Sequence, residues 1–119
     1  MAEILVLDDV PDAVLLIKKI LIRRQHNVHG FTEEEKAIAF AEENHIDLAI
    51  LDIKLKKMSG IQVLRQLKET NPALKVIILT GYPTVETARE ALLLGARDYC
   101  VKPIDKTGLE EKVATVLAR

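Results

Sequence analysis

The chain has 119 residues, 49% of them hydrophobic, and its 17 lysine and arginine residues nearly balance 18 aspartate and glutamate residues, for a formal net charge of -1. The apolar fraction excludes a disordered chain and predicts one soluble globular domain. The near-neutral balance gives no global field for attracting nucleic acid or an anionic membrane, so neither is expected as a direct partner. Any function that depends on charge must be local.

Cysteine content and the N-terminus predict where the protein resides. The one cysteine, Cys100, cannot form an internal disulfide, is expected in the core, and has no histidine at zinc-ligand spacing. The first residues carry no signal-peptide pattern, and no apolar run approaches the roughly 20 residues of a membrane span. We therefore expect a cytoplasmic protein that begins to fold at its first residues.

Short apolar runs alternate with segments of helical spacing along the whole chain. Four runs are continuously hydrophobic, as strands are when helices cover both faces of a parallel sheet, and a poorer fifth run suits an edge. In chain order the predicted elements are strand 4–7, helix 11–25, edge strand 28–31, helix 33–43, strand 48–51, helix 61–69, strand 76–79, helix 84–94, strand 99–101 and helix 106–118. This alternation predicts an α/β fold with a doubly wound parallel sheet and right-handed crossovers.

Local signals mark several helix ends. Pro11 stands in the first turn of the first helix, and Thr32 precedes three glutamates at the start of the second. Thr84 is followed three residues on by Thr87, and Gly95 closes the fourth helix as a left-handed cap would. No linker, repeat or low-complexity tract interrupts the alternation.

A polar residue follows each of the four main apolar runs. These residues are Asp8 and Asp9 after the first strand, Asp52 after the third, Thr80 after the fourth and Lys102 after the fifth. Ligands of doubly wound folds bind beyond the carboxyl ends of the strands, so we expect these side chains to meet in one crevice. Three carboxylates there would raise one another's pKa unless a cation joined them, and all-oxygen ligation suits Mg²⁺.

Each of these residues also has a purely structural explanation. Asp8 and Asp9 favour the positive end of the following helix, and Asp52 suits a turn. Together, however, the residues make chemical sense, because a carboxylate beside Mg²⁺ that faces one ammonium and one hydroxyl can accept a phosphoryl group. Asp52, the lone acid after a central strand, is then the nucleophile candidate, and Asp8 and Asp9 are available to hold the metal.

The same residues resemble the receiver domain of two-component response regulators, of the chemotaxis-regulator type. The matching motifs are Asp8-Asp9, Asp52 followed by Met58-Ser59-Gly60, Thr80-Gly81, the run Ala91-Leu92-Leu93-Leu94-Gly95-Ala96-Arg97-Asp98-Tyr99, and Lys102-Pro103. The resemblance covers residues 4 to about 117. It implies one receiver domain over residues 1–119, with a (βα)5 flavodoxin-like sheet of five parallel strands in the order 2-1-3-4-5.

By position, the resemblance implies a metal and phosphorylation site. Asp52 would accept a phosphoryl group from a sensor histidine kinase or a phosphotransfer protein. Asp9 would bind Mg²⁺ directly and Asp8 mainly through water, while Asp52 and the backbone carbonyl of Lys54 would supply further oxygens. Lys102 would pair with the phosphoryl group.

The resemblance also implies a switch. Thr80 would move to bond the phosphoryl group, Tyr99 would change rotamer, and the peptide bond before Pro103 would be cis. The added charge would bias the fourth helix, fifth strand and fifth helix toward a downstream effector domain or protein, or toward a phosphorylation-dependent homodimer. The protein would be a signalling domain rather than a turnover enzyme, although it would assist its own phosphorylation and dephosphorylation.

Departures from the family pattern predict features particular to this chain. Lys56 stands where the family usually has proline, which predicts a less constrained loop after Asp52. Lys54 and Tyr82 occupy positions that face the mouth of the site in the family. We expect them, with Lys56 as a further candidate, to tune water access to the acyl phosphate and hence its lifetime. Alternatively, Lys54 only solvates the loop.

The fourth helix carries a candidate interface. Its predicted buried stripe is Val85, Ala88, Leu92 and Gly95, which places Leu93 among charged residues on the opposite face. Receivers commonly use that surface to meet partners. A single exposed leucine is also normal in a protein with no interface there.

Other functions share parts of the pattern. A phosphatase of the haloacid dehalogenase type also uses an aspartate and Mg²⁺, but it has a second Asp two residues after the nucleophile, where this chain has Lys54, and it needs a cap domain. A flavodoxin-like cofactor binder would need a glycine-rich phosphate loop where residues 8–12 are acidic. A degenerate receiver that only binds partners would lack site residues, and none of the expected ones is missing.

Overall fold

The computed structural model describes residues 1–119, in which five strands alternate with five helices. In chain order these are β1 (Glu3–Leu7), α1 (Pro11–Ile22), β2 (Asn27–Phe31), α2 (Glu34–Glu43), β3 (Leu48–Leu51), α3 (Gly60–Thr70), β4 (Lys75–Thr80), α4 (Val85–Leu93), β5 (Asp98–Val101) and α5 (Lys106–Ala118). The strands form one parallel sheet in the order β2-β1-β3-β4-β5, which confirms the predicted doubly wound, flavodoxin-like fold. None of the helices is long and apolar enough to cross a membrane.

Both faces of the sheet are covered, which explains the continuous apolar runs. Alternate residues of a strand point to opposite faces, so Ile4 and Val6 join the core that α1 and α5 cover. Leu5 and Leu7 join the second core, against α2, α3 and α4. Each core contains 16 buried residues, and Cys100 belongs to the first, as predicted. The interior residues of the central strands are therefore apolar, and polar residues occur only at strand ends, such as Glu3, Lys75 and Thr80.

The register of the central strands explains where the polar strand ends meet. Leu7 of β1 pairs with Phe31 of β2 and with Leu51 of β3. The next residues continue the ladder, because the N–H of Asp8 donates to the carbonyl of Phe31 at 3.1 Å and the N–H of Asp52 donates to the carbonyl of Leu7 at 3.0 Å. Asp8 and Asp52 therefore leave adjacent strands at the same level of the sheet.

Several predicted helix ends are confirmed. Pro11 begins α1, and Gly95 has a φ of 99° directly after the C-cap of α4. Thr84 and Thr87 form a reciprocal capping box at the start of α4, in which each side chain accepts a backbone N–H of the other residue. These ends depend on short-range chemistry, which the sequence displays directly.

Two other helix ends differ from the prediction. The α1 helix ends at Ile22 rather than at residue 25, because Gln25 adopts a left-handed φ of 65° where the chain turns into β2. The N-cap of α2 is Glu33 rather than Thr32, and no side chain caps this helix. The hydroxyl of Thr32 therefore does not cap the helix by accepting a backbone N–H at the start of α2.

The predicted buried face of α4 is wrong at Val85 and Leu92, whereas Ala88 and Gly95 of the same predicted stripe are half-buried. Ala91 is fully buried, whereas Val85 and Leu92 are 74% and 55% exposed. Leu93 is 80% exposed, as predicted. Ala88, Leu92 and Val85 lie on the same side of this nine-residue helix as Ala91, so periodicity alone does not show which part of that apolar arc is buried. Packing against α3 and β5 selects the narrow face around Ala91 and leaves the larger apolar side chains in solvent.

Candidate functional site

Three carboxylates meet at the carboxyl edge of the sheet. Asp8 and Asp52 are 2% and 5% exposed, and Asp9 is half-buried. Each contributes one oxygen to a cluster in which the ligand atoms lie within 4.8 Å of one another. Adjacent strands of matched register bring the two buried residues together, as the position of each strand end predicts. The cluster offers only oxygen atoms, which is the donor set that Mg²⁺ and Ca²⁺ prefer.

Lys102 extends into this crevice from the end of β5. Its Nζ donates to Oδ2 of Asp52 at 3.0 Å and to Oδ2 of Asp8. Its backbone N–H donates to the carbonyl of Thr80 at 2.8 Å, which anchors the lysine backbone to the end of β4. The peptide bond between Lys102 and Pro103 is cis, as predicted. The long lysine side chain thus spans β4 and reaches the two aspartates.

The crevice is electrostatically incomplete. Burial raises the pKa of Asp8 above its usual range, although hydrogen bonds from Lys102 and from the N–H of Val10 oppose this effect. Burial alone would lower the pKa of Lys102, but its hydrogen bonds to Asp8 and Asp52 outweigh burial and raise the pKa. One ammonium faces three carboxylates, so the acidic side chains outnumber the basic one. A further cation would neutralise part of the remaining negative charge.

Thr80 ends β4 beside the crevice and is fully buried. Its hydroxyl oxygen accepts the N–H of Tyr82 at 3.1 Å and has no hydrogen bond to Lys102 or Asp52. Because β4 neighbours β3 in the sheet, the hydroxyl lies on the same rim as the carboxylates. The predicted set of strand-end residues is therefore assembled on one edge, with the threonine bonded to its own loop.

Lys54 and Tyr82 come together although they belong to different loops. The Nζ of Lys54 lies 4.3 Å from the centroid of the Tyr82 ring, in cation–π contact. Both side chains are exposed, and Tyr82 is 59% exposed. Lys56 lines a charged surface depression that also includes Glu33, Glu35 and Lys36. The sequence identified Lys54 and Tyr82 individually, but their mutual contact required the tertiary structure.

Tyr99 is half-buried on β5 and points toward the start of α4. Its hydroxyl lies 2.8 Å from the hydroxyl of Thr87 and accepts the N–H of Thr84 at 3.4 Å. Both partners belong to the capping box of α4. The orientation of Tyr99 is therefore linked directly to the N-terminus of the neighbouring helix.

Glu34 is a residue that the sequence reasoning missed. The sequence indicates Glu34 only as one of three glutamates at a helix start, yet this residue is 2% exposed. Its carboxylate accepts the backbone N–H groups of Lys57 and Met58, in the loop between β3 and α3. Its spacing from Ala37, which is fully buried on the same helix, could have indicated the buried face.

A small doubly wound domain whose carboxyl edge carries buried acids, a lysine bonded to them and a neighbouring hydroxyl is built to hold a cation or a phosphoryl group. The family model of the response regulator receiver domain matches residues 4–114, and the chain belongs to this family. It is therefore a receiver domain of two-component response regulators, which is a signalling domain.

Individual relatives agree with this assignment. The transcriptional regulatory protein ZraR of Salmonella typhimurium is 36% identical over 116 residues, which are 98% of this chain and 26% of ZraR, so the chain spans about a quarter of that relative. A CheY-like receiver domain from Methanospirillum hungatei superposes with a TM-score of 0.94 at 32% identity, over 99% of this chain and 94% of that chain. A response regulator from Burkholderia pseudomallei, solved with a phosphorylated aspartic acid, a calcium ion and citrate, has a TM-score of 0.88 at 26% identity, over 98% of this chain and 66% of that chain.

Proposed function

We propose that this chain is a single receiver domain over residues 1–119 in which Asp52 accepts a phosphoryl group. The observation that carries the proposal is the position of Asp52, which is buried beside two further carboxylates and bonded to Lys102 at 3.0 Å. The phosphorylated aspartic acid of the Burkholderia pseudomallei regulator supports the same chemistry here. The donor would be the phosphohistidine of a sensor histidine kinase or of a phosphotransfer protein.

The transfer is a displacement at phosphorus. A carboxylate oxygen of Asp52 forms the new O–P bond as the P–N bond of the donor phosphohistidine breaks, and the electron pair stays on the imidazole nitrogen. The Nζ of Lys102 lies within hydrogen-bond distance of that carboxylate and would face the incoming phosphoryl oxygens. The hydroxyl of Thr80 would exchange the N–H of Tyr82 for a phosphoryl oxygen, to which it would donate.

The acidic cluster fits a bound Mg²⁺. Asp9 would bind the ion directly, Asp8 mainly through water, and Asp52 and the backbone carbonyl of Lys54 would contribute further oxygens. When bound, the ion neutralises negative charge on the phosphoryl oxygens. Burial raises the pKa of Asp8 even with the Lys102 ammonium bonded to it, and this supports the assignment because a metal ion would further stabilise the carboxylate form.

Phosphorylation would act on α4, β5 and α5. When Thr80 moves toward the phosphoryl group, the space it leaves would admit Tyr99 in a different rotamer. That rotation would break the hydrogen bond between Tyr99 and Thr87 and so alter the N-terminus of α4. The altered surface, which includes the exposed Leu93, would bind a downstream effector domain or protein, or a second copy of this chain.

Intact-mass measurement tests the central assignment. After incubation with acetyl phosphate and Mg²⁺, wild-type protein should gain one phosphoryl adduct, and Asp52→Asn should gain none because the nucleophile is absent. Asp12→Asn is the matched control, since Asp12 is exposed in the first turn of α1, and it should be phosphorylated like wild type. An adduct that survives in Asp52→Asn would refute the assignment, and steady turnover of phosphate esters without an adduct would favour a phosphatase.

Lys54 and Tyr82 would set the lifetime of the acyl phosphate. Their cation–π contact bridges the loops after β3 and β4. At the mouth of the crevice, which is where the resemblance to receiver domains implies that both residues lie, this contact would restrict the approach of water. Lys54→Ala and Tyr82→Ala should each shorten the half-life of the phosphorylated protein, and the double variant should add little to either one because the two residues act as a pair. Lys56→Ala is the control for loop charge. Unchanged half-lives in both single variants would disprove this role.

A further inference from the structure

Glu34 is a buried carboxylate that lies outside the acidic crevice. It occupies the first turn of α2, and its oxygen Oε2 accepts the N–H of Lys57 at 2.5 Å and the N–H of Met58 at 2.8 Å. Neither amide has another partner in the protein. A single side chain thus ties the β3–α3 loop to a helix that precedes it in the chain by more than twenty residues.

The loop that Glu34 holds begins and ends against Asp52. The N–H of Gly60 donates to the carbonyl of Ile53 at 2.8 Å, so the far end of the loop returns to its start. A Cβ on Gly60 would lie 1.9 Å from the carbonyl oxygen of Asp52, which shows how closely the two ends approach. Between these ends the loop has Lys56 in place of a rigid proline, and its outer part is bonded to α2 through Glu34.

The hydrogen bonds that Glu34 accepts are strengthened by the charge of its carboxylate. Burial alone would raise the pKa of its carboxyl group, but hydrogen bonds from its own amide and from the amides of Met58 and Lys57 outweigh burial and lower the pKa. The group is therefore a charged acceptor, and hydrogen bonds to charged acceptors are about twice as strong as neutral ones. The neighbouring Glu35 differs, because it reaches only the Nζ of Lys57, at 3.4 Å, through an exposed ion pair.

We propose that Glu34 is a positioning residue for the phosphorylation site, holding the β3–α3 loop so that the backbone carbonyl of Lys54 is presented to the acidic crevice. This inference rests on the proposed function, in which that carbonyl is a ligand of Mg²⁺. The carboxylate restrains the loop backbone next to Lys56 through two directed hydrogen bonds. It acts through the loop backbone and touches neither the metal nor the phosphoryl group.

Three variants separate this role from a general contribution to folding. Glu34→Ala removes both hydrogen bonds, Glu34→Gln keeps a carbonyl acceptor without the charge, and Glu35→Ala removes a neighbouring carboxylate that bonds only a side chain of the loop. Amide hydrogen exchange in metal-free protein reports the loop, calorimetric titration with Mg²⁺ alone reports the site, and intact mass after acetyl phosphate at saturating Mg²⁺ reports phosphorylation.

We expect exchange at Lys57 and Met58 to accelerate by at least about tenfold in Glu34→Ala, because their only partner is lost. The Kd for Mg²⁺ should rise by up to about tenfold, the lower end of the loss seen when groups that orient metal ligands are removed. Glu34→Gln should lie between Glu34→Ala and wild type, and Glu35→Ala should match wild type. At saturating Mg²⁺ all three variants should still form the adduct.

An unchanged Kd for Mg²⁺ in Glu34→Ala and Glu34→Gln would overturn the inference, even if exchange accelerates, because the loop would then be anchored without consequence for the site. If Glu34→Ala does not fold, Glu34→Gln decides by the same criterion. Wild-type protein that gains no adduct would instead refute the proposed function. The two failures are therefore distinguishable.

Discussion

Lys102 and Gly60 show how single residues define the crevice. Lys102 supplies the only ammonium bonded to the two buried aspartates, and its side chain is 27% exposed. Gly60 provides the space in which the returning loop approaches the backbone of Asp52. Lys102 therefore acts through its charge, whereas Gly60 acts through its lack of a side chain.

Replacing Lys102 with alanine should destabilise the metal-free protein by roughly 1–3 kcal/mol, because Asp8 and Asp52 are left buried without their partner. Saturating Mg²⁺ should stabilise Lys102→Ala more than wild type, since the ion then compensates carboxylates that no ammonium neutralises. Urea unfolding with and without Mg²⁺ measures both effects. Lys56→Ala, which removes an exposed lysine, should change stability by less than about 0.5 kcal/mol. Equal stabilisation by Mg²⁺ in all three proteins would contradict the charge balance described for the crevice.

Gly60→Ala should cost roughly 2–3 kcal/mol of stability, because the new Cβ would overlap the carbonyl of Asp52 and backbone cannot move aside as a flexible side chain can. Gly81→Ala is the matched control, since its Cβ would lie 4.0 Å from the Lys102 side chain, an ordinary contact distance. Thermal and urea unfolding compare the two. Similar losses in both variants would show that the close approach at Gly60 is not a tight constraint.

At the scale of elements, β5 is joined to α5 by an ion pair. The Nζ of Lys112 lies 2.9 Å from Oδ2 of Asp98, and Oδ1 of Asp98 accepts the N–H of Tyr99 at 2.8 Å. Burial would raise the pKa of Asp98, but the hydrogen bonds from Lys112 and Tyr99 outweigh it and lower the pKa. The pair holds the strand of Tyr99 to the last helix, so it belongs to the region that phosphorylation would rearrange.

The lowered pKa predicts how stability depends on pH. The folded protein binds the Asp98 proton less readily than the unfolded chain, so the stabilisation is fully present above the ordinary Asp value near 3.9 and is lost as the pH falls through the lowered pKa. Asp98→Asn should reduce the free energy of unfolding by up to about 1 kcal/mol at neutral pH, given that the pair is partly exposed. The difference between the two proteins should vanish at more acidic pH in urea titrations. A double-mutant cycle with Lys112→Met isolates the pair, and a difference that persists at low pH would contradict this origin.

For the whole molecule, the exposed apolar residues of α4 define a candidate interface. Val85, Leu92 and Leu93 are all more than half exposed, so the surface is larger than the single leucine that the sequence indicated. Large exposed side chains on one helix next to the proposed switch element are consistent with a partner that binds after phosphorylation.

Leu93→Glu should abolish phosphorylation-dependent self-association while leaving stability within about 0.5 kcal/mol of wild type, because Leu93 is 80% exposed. Sedimentation velocity before and after treatment with acetyl phosphate and Mg²⁺ measures the change, with wild type shifting toward a dimer. Leu16→Glu is the control, because Leu16 is an equally apolar residue, 59% exposed, on α1. Dimerisation of Leu93→Glu at the wild-type level would remove α4 from the interface.

Features of the structure that depend on residues close together in the chain, or on the order of strands and helices, could be predicted from the sequence. Features that depend on packing between distant segments could not. The strands around Leu7 and Leu51 and the cluster of Asp8, Asp9 and Asp52 were predictable, because a parallel sheet buried on both faces requires apolar strands and aligns their polar ends. The cap of α4 was predictable because Thr84 and Thr87 are three residues apart. The buried part of α4 was not, since packing against α3 and β5 buries only the Ala91 edge of the apolar arc.

By itself, the sequence determined the fold class, the edge of the sheet that carries the chemistry and the residue types available there, because these depend on local composition and on the order of strands and helices. Only the tertiary structure decided that Lys54 stacks on Tyr82, that Tyr99 bonds the cap of α4, and that Glu34 anchors the β3–α3 loop. Each of these contacts joins segments that are distant in the chain. Their existence depends on side-chain directions and distances that the packing of all ten elements sets, and no local pattern encodes them.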